Sequence, residues 1–137
     1  KIHLPIDFKI AKEFKNTQPI LVNIIEGIPN NWMGLDIGPL SIEKFNQIIE
    51  KSHTIIWNGP MGVFEFDNFK DGSYQIAKKI AESTRLGSIT VIGGGDTASC
   101  ITKFNLQNEF THLSTGGGVS LELLEGKHLP GLEFFKK

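Results

Sequence analysis

The chain has 137 residues, 39% of them hydrophobic and 21% charged, a globular mix that excludes disordered and collagen-like classes. Its 14 Lys+Arg and 15 Asp+Glu leave a net charge of −1, which argues against a broadly basic nucleic-acid binder. The single cysteine, Cys100, excludes an internal disulfide and a cysteine-ligated zinc site and fits a reducing compartment, and no apolar run approaches the roughly 18 residues of a membrane helix.

In chain order, Ile2–Phe8 reads as a strand broken by Pro5, which marks an edge or an entry. Ile20–Ile25 is a second β-rich run. Pro29–Pro39 is rich in turn residues and holds Trp32. Ser41 is a candidate N-cap for an amphipathic helix over Ser41–Lys51, with Ile42, Phe45, Ile48 and Ile49 at helical spacing. His53–Trp57 is a short strand that ends at Asn58-Gly59-Pro60. Asp67–Arg85 reads as a longer helix with Phe69, Ile76 and Ile80 on one side and Gly87 as its stop. Ser88–Ile92 is a compact apolar strand, Asp96–Phe104 a helix, Thr111–Ser114 a strand, and Gly118–Leu124 a last helix closed by Gly126. The second half thus repeats strand, loop, helix. That order builds an α/β fold, with a mostly parallel sheet and helices on its faces.

Glycine departs from the average: 15 of 137 residues, about 11% against a usual ~7%. Six lie in two triplets, Gly93-Gly94-Gly95 and Gly116-Gly117-Gly118, each between a strand and a helix. Loops that follow parallel strands share one edge of the sheet, where ligands bind. A helix N-terminus there offers unpaired N–H groups and a positive dipole end to phosphate oxygens. Triple glycines also serve as tight packing turns, and that reading stays beside the phosphate one. Gly93–Ala98 satisfies the loose dinucleotide fingerprint, but the next strand ends at Ser114-Thr115 without the carboxylate that NAD binding expects. A P-loop needs Gly-Lys-Ser/Thr, whereas Gly95 is followed by Asp96-Thr97-Ala98. Asp96 can cap its helix, or can meet a phosphate through Mg²⁺; the two roles are compatible.

Other residues carry weaker signals. Asn58 and Glu65 follow a strand and can meet phosphate or ribose, or can be ordinary turn and surface residues. Gly34-Leu35-Asp36-Ile37-Gly38-Pro39 can line an adenine slot or make a turn. Trp32 and Trp57 read as core or pocket wall. His3, His53, His112 and His128 lack metal-site spacing. Cys100 reads as a small packed residue, and Lys78-Lys79 as solvated helix surface.

Three stretches carry a family resemblance. They are Trp57-Asn58-Gly59-Pro60-Met61-Gly62-Val63-Phe64-Glu65, Gly93-Gly94-Gly95-Asp96-Thr97-Ala98, and Ser114-Thr115-Gly116-Gly117-Gly118-Val119-Ser120-Leu121-Glu122 with Leu124-Glu125-Gly126-Lys127. Together with Leu4-Pro5-Ile6-Asp7-Phe8 and Gly34-Leu35-Asp36-Ile37-Gly38-Pro39, in that order, they strongly resemble phosphoglycerate kinases. Ile37, Met61 and Val119 are mild departures from the pattern.

The resemblance implies a Rossmann-like three-layer αβα fold. Residues 1–137 would be part of the nucleotide-binding C-terminal domain, with the phosphoglycerate-binding N-terminal domain absent and the chain a fragment. It implies reversible phosphoryl transfer between 1,3-bisphosphoglycerate and Mg-ADP, giving 3-phosphoglycerate and ATP, by a monomeric cytoplasmic enzyme. Gly34 and Leu35 would line the adenine site, with Pro60 and Val63 nearby. Glu65 would hold ribose hydroxyls, Asn58 a nucleotide phosphate, Asp96 the magnesium and Thr97 the phosphates. Gly94, Gly95, Gly117 and Gly118 would offer N–H groups to the transferred phosphoryl group. The chain alone is expected to lack substantial kinase activity. Its alternatives are a non-catalytic nucleotide- or anion-binding module and a purely structural fragment.

Overall fold

The computed structural model describes residues 1–114. The Gly116–Gly118 triplet and the helix expected over Gly118–Leu124 lie outside them.

The first half forms a three-stranded antiparallel sheet of β1 (Asp7–Ala11), β2 (Ile20–Asn23) and β3 (Met33–Ile37), in the order β2-β1-β3. Pro5 marks the entry to β1, which is the central strand and begins later than Ile2–Phe8 suggests. Proline cannot donate to a ladder, so pairing begins beyond it. The turn-rich reading of Pro29–Pro39 is corrected: Met33–Ile37 is a strand paired with β1. Its register steps from Lys9↔Asp36 to Ile10↔Gly34, so Leu35 is an extra residue opposite no partner, a β-bulge. The bulge breaks alternation, and Leu35, Asp36 and Ile37 are all buried.

Helix α1 (Pro39–Glu50) follows at once. Its N-cap is Gly38, with proline in the first turn, so Ser41 is not the cap. The capping acceptor comes from β1. Asp7 Oδ2 accepts the Leu40 N–H at 2.9 Å and Oδ1 accepts the Ser41 N–H at 2.8 Å. A side chain on Gly38 would collide with the Asp7 carboxylate.

The second half is parallel. Strands β4 (Thr54–Asn58), β5 (Ile89–Gly93) and β6 (His112–Leu113) lie in that order. Helices α2 (Asp71–Arg85) and α3 (Gly95–Lys103) make the crossovers. Both crossovers step the same way along the sheet, so right-handed connections put both helices on one face. The main core lies there. Trp57 and Ile92 from the sheet meet Ile76, Ala77 and Ile80 of α2 and Cys100 and Ile101 of α3, with Ile42, Phe45 and Ile49 of α1 at its margin.

The long helix expected from Asp67 is divided. Asp67–Phe69 is a single 3₁₀ turn, and α2 begins at Asp71. Phe69 is fully buried in a second, smaller cluster with Ala11 and Leu35, which turns it away from the helix's main face. The start of α2 is capped from β3, where Asp36 Oδ2 accepts the Gly72 N–H at 2.9 Å. Both helices therefore take their acceptors from strands of the antiparallel sheet. Trp57 is a core residue, 5% exposed. Trp32 is partly buried, with the Lys12 ammonium 5.3 Å from its ring centroid. Lys79 is not free surface: its ammonium meets Glu50 and Glu82.

Candidate functional site

The strands β4 and β5 end side by side, with Asn58 paired to Gly93. Beyond them the chain turns through Gly59 (φ +110°) and Gly94 (φ +96°), a region where L side chains are strained. The exposed Asn58 side chain lies against Gly94 so closely that a Cβ there would sit 2.7 Å from Asn58 Oδ1. Glycine at 94 thus meets two demands at once, a left-handed backbone and room for an amide.

The loop that continues from Asn58 carries Pro60, Val63 and Glu65. The Gly59 N–H donates to Thr97 Oγ1 at 2.7 Å. The Met61 and Gly62 N–H groups both point at Ser73 Oγ, at 3.0 and 3.4 Å. The Val63 N–H donates to the Leu35 carbonyl at 2.8 Å, beside the bulge. The Lys103 ammonium donates to the Phe64 carbonyl at 2.9 Å. Helices α3 and α2 and strand β3 therefore each hold the loop. Ser73 and Thr97 are fully buried, so their hydroxyls are fixed acceptors with no competing water.

Helix α3 has no side-chain cap; its N-cap is Gly94. Asp96 is therefore not the cap, and that half of its sequence reading is corrected. It sits exposed in the first turn, with no hydrogen bond or ion pair among the described residues. The first-turn N–H groups of such a helix lack intrahelical acceptors, which suits an anion. Gly95, also exposed, stands at this end beside a cavity of about 520 Å³ that Ala98, Ser99, Thr102 and Leu113 also line. No cluster of three or more acidic, His or Cys groups exists among the described residues. A lone carboxylate beside an uncapped helix end fits Mg²⁺ taken with phosphate oxygens and water, not a metal held by protein alone.

Two groups of expected site residues emerge. Asn58, Gly94 and Thr97 adjoin one another at the sheet's carboxyl edge, with Gly95 and Asp96 next along α3. Leu35 and Val63 pack together with Phe69 at the β3 end of the loop, where Gly34 is exposed and Leu35 is 5% exposed. Pro60 and the exposed Glu65 lie between and beyond these groups on the same loop. Thr97 is fully buried, with its hydroxyl turned to Gly59. Gly117 and Gly118 lie outside the described residues. Sequence reading missed Ser73, Lys103 and Asp36. Asp36 carried a signal, a carboxylate inside a glycine-bounded apolar run; Ser73 and Lys103 carried none, because their partners lie 11 to 39 positions away.

Burial pushes the Asp36 carboxyl up to about 6, against the pull of the Gly72 and Ile37 N–H groups that favour its anion. Cys100 is fully buried, and burial drives its thiol to about 12, which makes it unreactive as a nucleophile.

Parallel strands β4, β5 and β6 with crossover helices, and glycine turns at the carboxyl edge of β4 and β5, define an α/β protein of the class whose sheets carry loops and helix starts at that edge. The phosphoglycerate kinase family model matches residues 1–127. The chain belongs to the phosphoglycerate kinase family. It is 56% identical over 133 residues to the phosphoglycerate kinase of Plasmodium falciparum (isolate 3D7), covering 96% of this chain and 32% of that protein. It is 50% identical over 134 residues to the Gallus gallus phosphoglycerate kinase, covering 97% and 32%. The solved phosphoglycerate kinase of Coxiella burnetii superposes with a TM-score of 0.81 at 36% identity, covering 91% of this chain and 32% of that one. The chain thus spans about a third of the length of the curated relatives it matches.

Proposed function

We propose that residues 1–137 are part of the C-terminal, nucleotide-binding domain of a phosphoglycerate kinase. The reaction is reversible transfer of a phosphoryl group between 1,3-bisphosphoglycerate and ADP, with Mg²⁺, yielding 3-phosphoglycerate and ATP. The observation that carries the reading is the uncapped start of α3, with exposed Gly95 and Asp96, set beside Asn58 at the sheet's carboxyl edge.

Phosphoryl transfer asks for positioning and charge neutralisation more than for covalent chemistry. In this assignment Gly34 and Leu35 form one wall of the adenine site, with Val63 and Pro60 beside them. Glu65 accepts from the ribose hydroxyls, and Asn58 donates to a nucleotide phosphate. The N–H groups of Gly94 and Gly95 are assigned to the phosphoryl group in transit, where preorganised dipoles stabilise developing charge, and Gly117 and Gly118 are given the same role. Thr97 serves the phosphates from behind, by fixing Gly59 next to Asn58. Asp96 holds the Mg²⁺, which neutralises phosphate charge when bound.

The glycerate substrates are assigned to the N-terminal domain, in the two thirds of the relatives' length that this chain does not match, and the complete enzyme acts as a cytoplasmic monomer. Neither nucleic acid nor membrane is assigned a part in this reading. Among the described residues no helix is long and apolar enough to cross a membrane.

Equilibrium titration with ADP, with and without Mg²⁺, tests the nucleotide half of the reading. Metal-dependent binding that weakens in Asp96→Ala supports it, and no binding at millimolar ADP overturns it for this chain. A coupled assay on the chain alone is expected to show no substantial turnover, because the acyl-phosphate site belongs elsewhere. Wild-type-like turnover would refute that division of labour.

A further inference from the structure

Lys103 closes α3 and sends its ammonium back to the loop. Its Nζ donates to the Phe64 carbonyl at 2.9 Å, and no carboxylate among the described residues pairs with it. A surface lysine normally keeps its charge in water or on an acid. Here the charge is used on one backbone oxygen, and that oxygen belongs to the peptide that leads into Glu65. Phe64 is 7% exposed and sits in the main core, so the chain leading into this peptide is anchored and the ammonium is left to set the direction of the carbonyl. The Phe66 N–H, one residue past Glu65, is held by the Val63 carbonyl at 3.0 Å. Glu65 itself is exposed, with no partner of its own among the described residues. Its backbone is thus clamped on both sides while its carboxylate stays free for a ligand.

We infer that Lys103 is a positioning residue for the Glu65 carboxylate, an inference that rests on the assignment of Glu65 to ribose hydroxyls made above. Lys103 does not touch the nucleotide. It fixes the Phe64–Glu65 peptide plane, and with it the direction of the Glu65 side chain. Because α3 also begins at the phosphate end of the site, one nine-residue helix then sets the spacing between the phosphate and ribose contacts. Removing the ammonium frees the peptide, and Glu65 meets the ribose in many orientations.

The test uses ADP and 2′,3′-dideoxy-ADP, titrated into the chain with Mg²⁺ by calorimetry. The wild-type chain is expected to prefer ADP. Lys103→Met, which keeps the apolar stem, should lose about tenfold in ADP affinity, the scale of one charged hydrogen bond, and little for the dideoxy compound. Lys103→Arg should restore the preference. Glu65→Gln should lose the same preference, and the double variant should be no worse than either single one. A purely structural role would weaken both nucleotides equally, and that result overturns the inference. So does a Lys103→Met chain whose preference for ADP is intact. A wild-type chain that binds both nucleotides equally refutes instead the ribose role of Glu65, and binding of neither refutes the nucleotide site as a whole.

Discussion

The Ser41 hydroxyl donates to the Asp7 carboxylate at 2.6 Å, across 34 positions of sequence. The same oxygen of Ser41 accepts the Ile6 N–H at 2.9 Å and the Asp7 N–H at 3.1 Å. Strand β1 and helix α1 are thus joined by a closed polar group, both members of which are buried. Asp7→Ala strands the Leu40 and Ser41 N–H groups, while the Ser41 hydroxyl keeps the Asp7 backbone carbonyl at 3.0 Å. Its cost should be about 3 kcal/mol, since buried unsatisfied donors carry their full desolvation penalty. Ser41→Ala should cost less, about 1–2 kcal/mol. Urea midpoints followed by circular dichroism measure both.

Asp36 gives the chain a pH dependence of definite sign. Its folded carboxyl titrates near 6, above the ordinary 3.8. A raised acid is penalised when charged, so the folded state binds more protons than the unfolded one between these values. Stability therefore falls as pH rises through this window, and the full penalty is present above about 6. The difference corresponds to an upper bound of roughly 3 kcal/mol. Stability curves of wild type and Asp36→Asn between pH 4 and pH 8 should converge on the acid side and separate on the neutral side. Parallel curves would show that Asp36 does not titrate there.

Gly94 bears a conformational and a steric demand that can be separated. Gly94→Ala meets the Asn58 amide and also the positive φ. The strain of a non-glycine residue in that backbone region is of order 1–3 kcal/mol. Asn58→Ala in the same chain removes the collision but not the strain. The double variant should therefore recover part of the loss in thermal denaturation, and full recovery would show that φ contributes nothing.

Asp96 acts through the metal alone in the proposed site. Asp96→Asn should abolish most of the gain in ADP affinity that Mg²⁺ brings and leave metal-free affinity unchanged or slightly raised, because a negative charge has left the phosphate site. A fall in metal-free binding would show instead that Asp96 contacts the nucleotide directly.

Cys100 should resist alkylation. Its thiol is fully buried and held near 12, so at pH 8 the native chain should react with iodoacetamide far more slowly than the urea-unfolded chain. Equal rates would mean that the core around α3 opens readily.

The parallel half was legible because each strand is a short apolar run, each helix has its own period, and glycines punctuate between them. The strand β3 was not. Met33–Ile37 contains a glycine and an aspartate, poor strand formers, and its pairing is decided by β1 more than twenty residues earlier. Ser41 looked like a cap because serine usually is one; the acceptor that displaced it, Asp7, lies on another element. Asp67 looked like a helix start because periodicity ran through it, yet burial of Phe69 in the second cluster ended that turn. In the proposed site, the residues assigned to ligand stand in recognisable motifs. Of the residues that hold them, Ser73 and Lys103 act through long-range hydrogen bonds that have no local pattern, and Thr97 stands in a motif that does not disclose its bond to Gly59.

The bulge in β3 makes three neighbouring residues face three different places. Leu35 turns to the small cluster and gives its carbonyl to Val63; Asp36 receives α2; Ile37 enters the main core. Side-chain identity there has some latitude, because an apolar residue of similar volume refills a packed position at modest cost. Length has none. Deleting or inserting one residue between Met33 and Ile37 would move the carboxylate off Gly72 and rotate an aspartate into a hydrocarbon core. In this stretch a protein can drift in composition, while its residue count is locked.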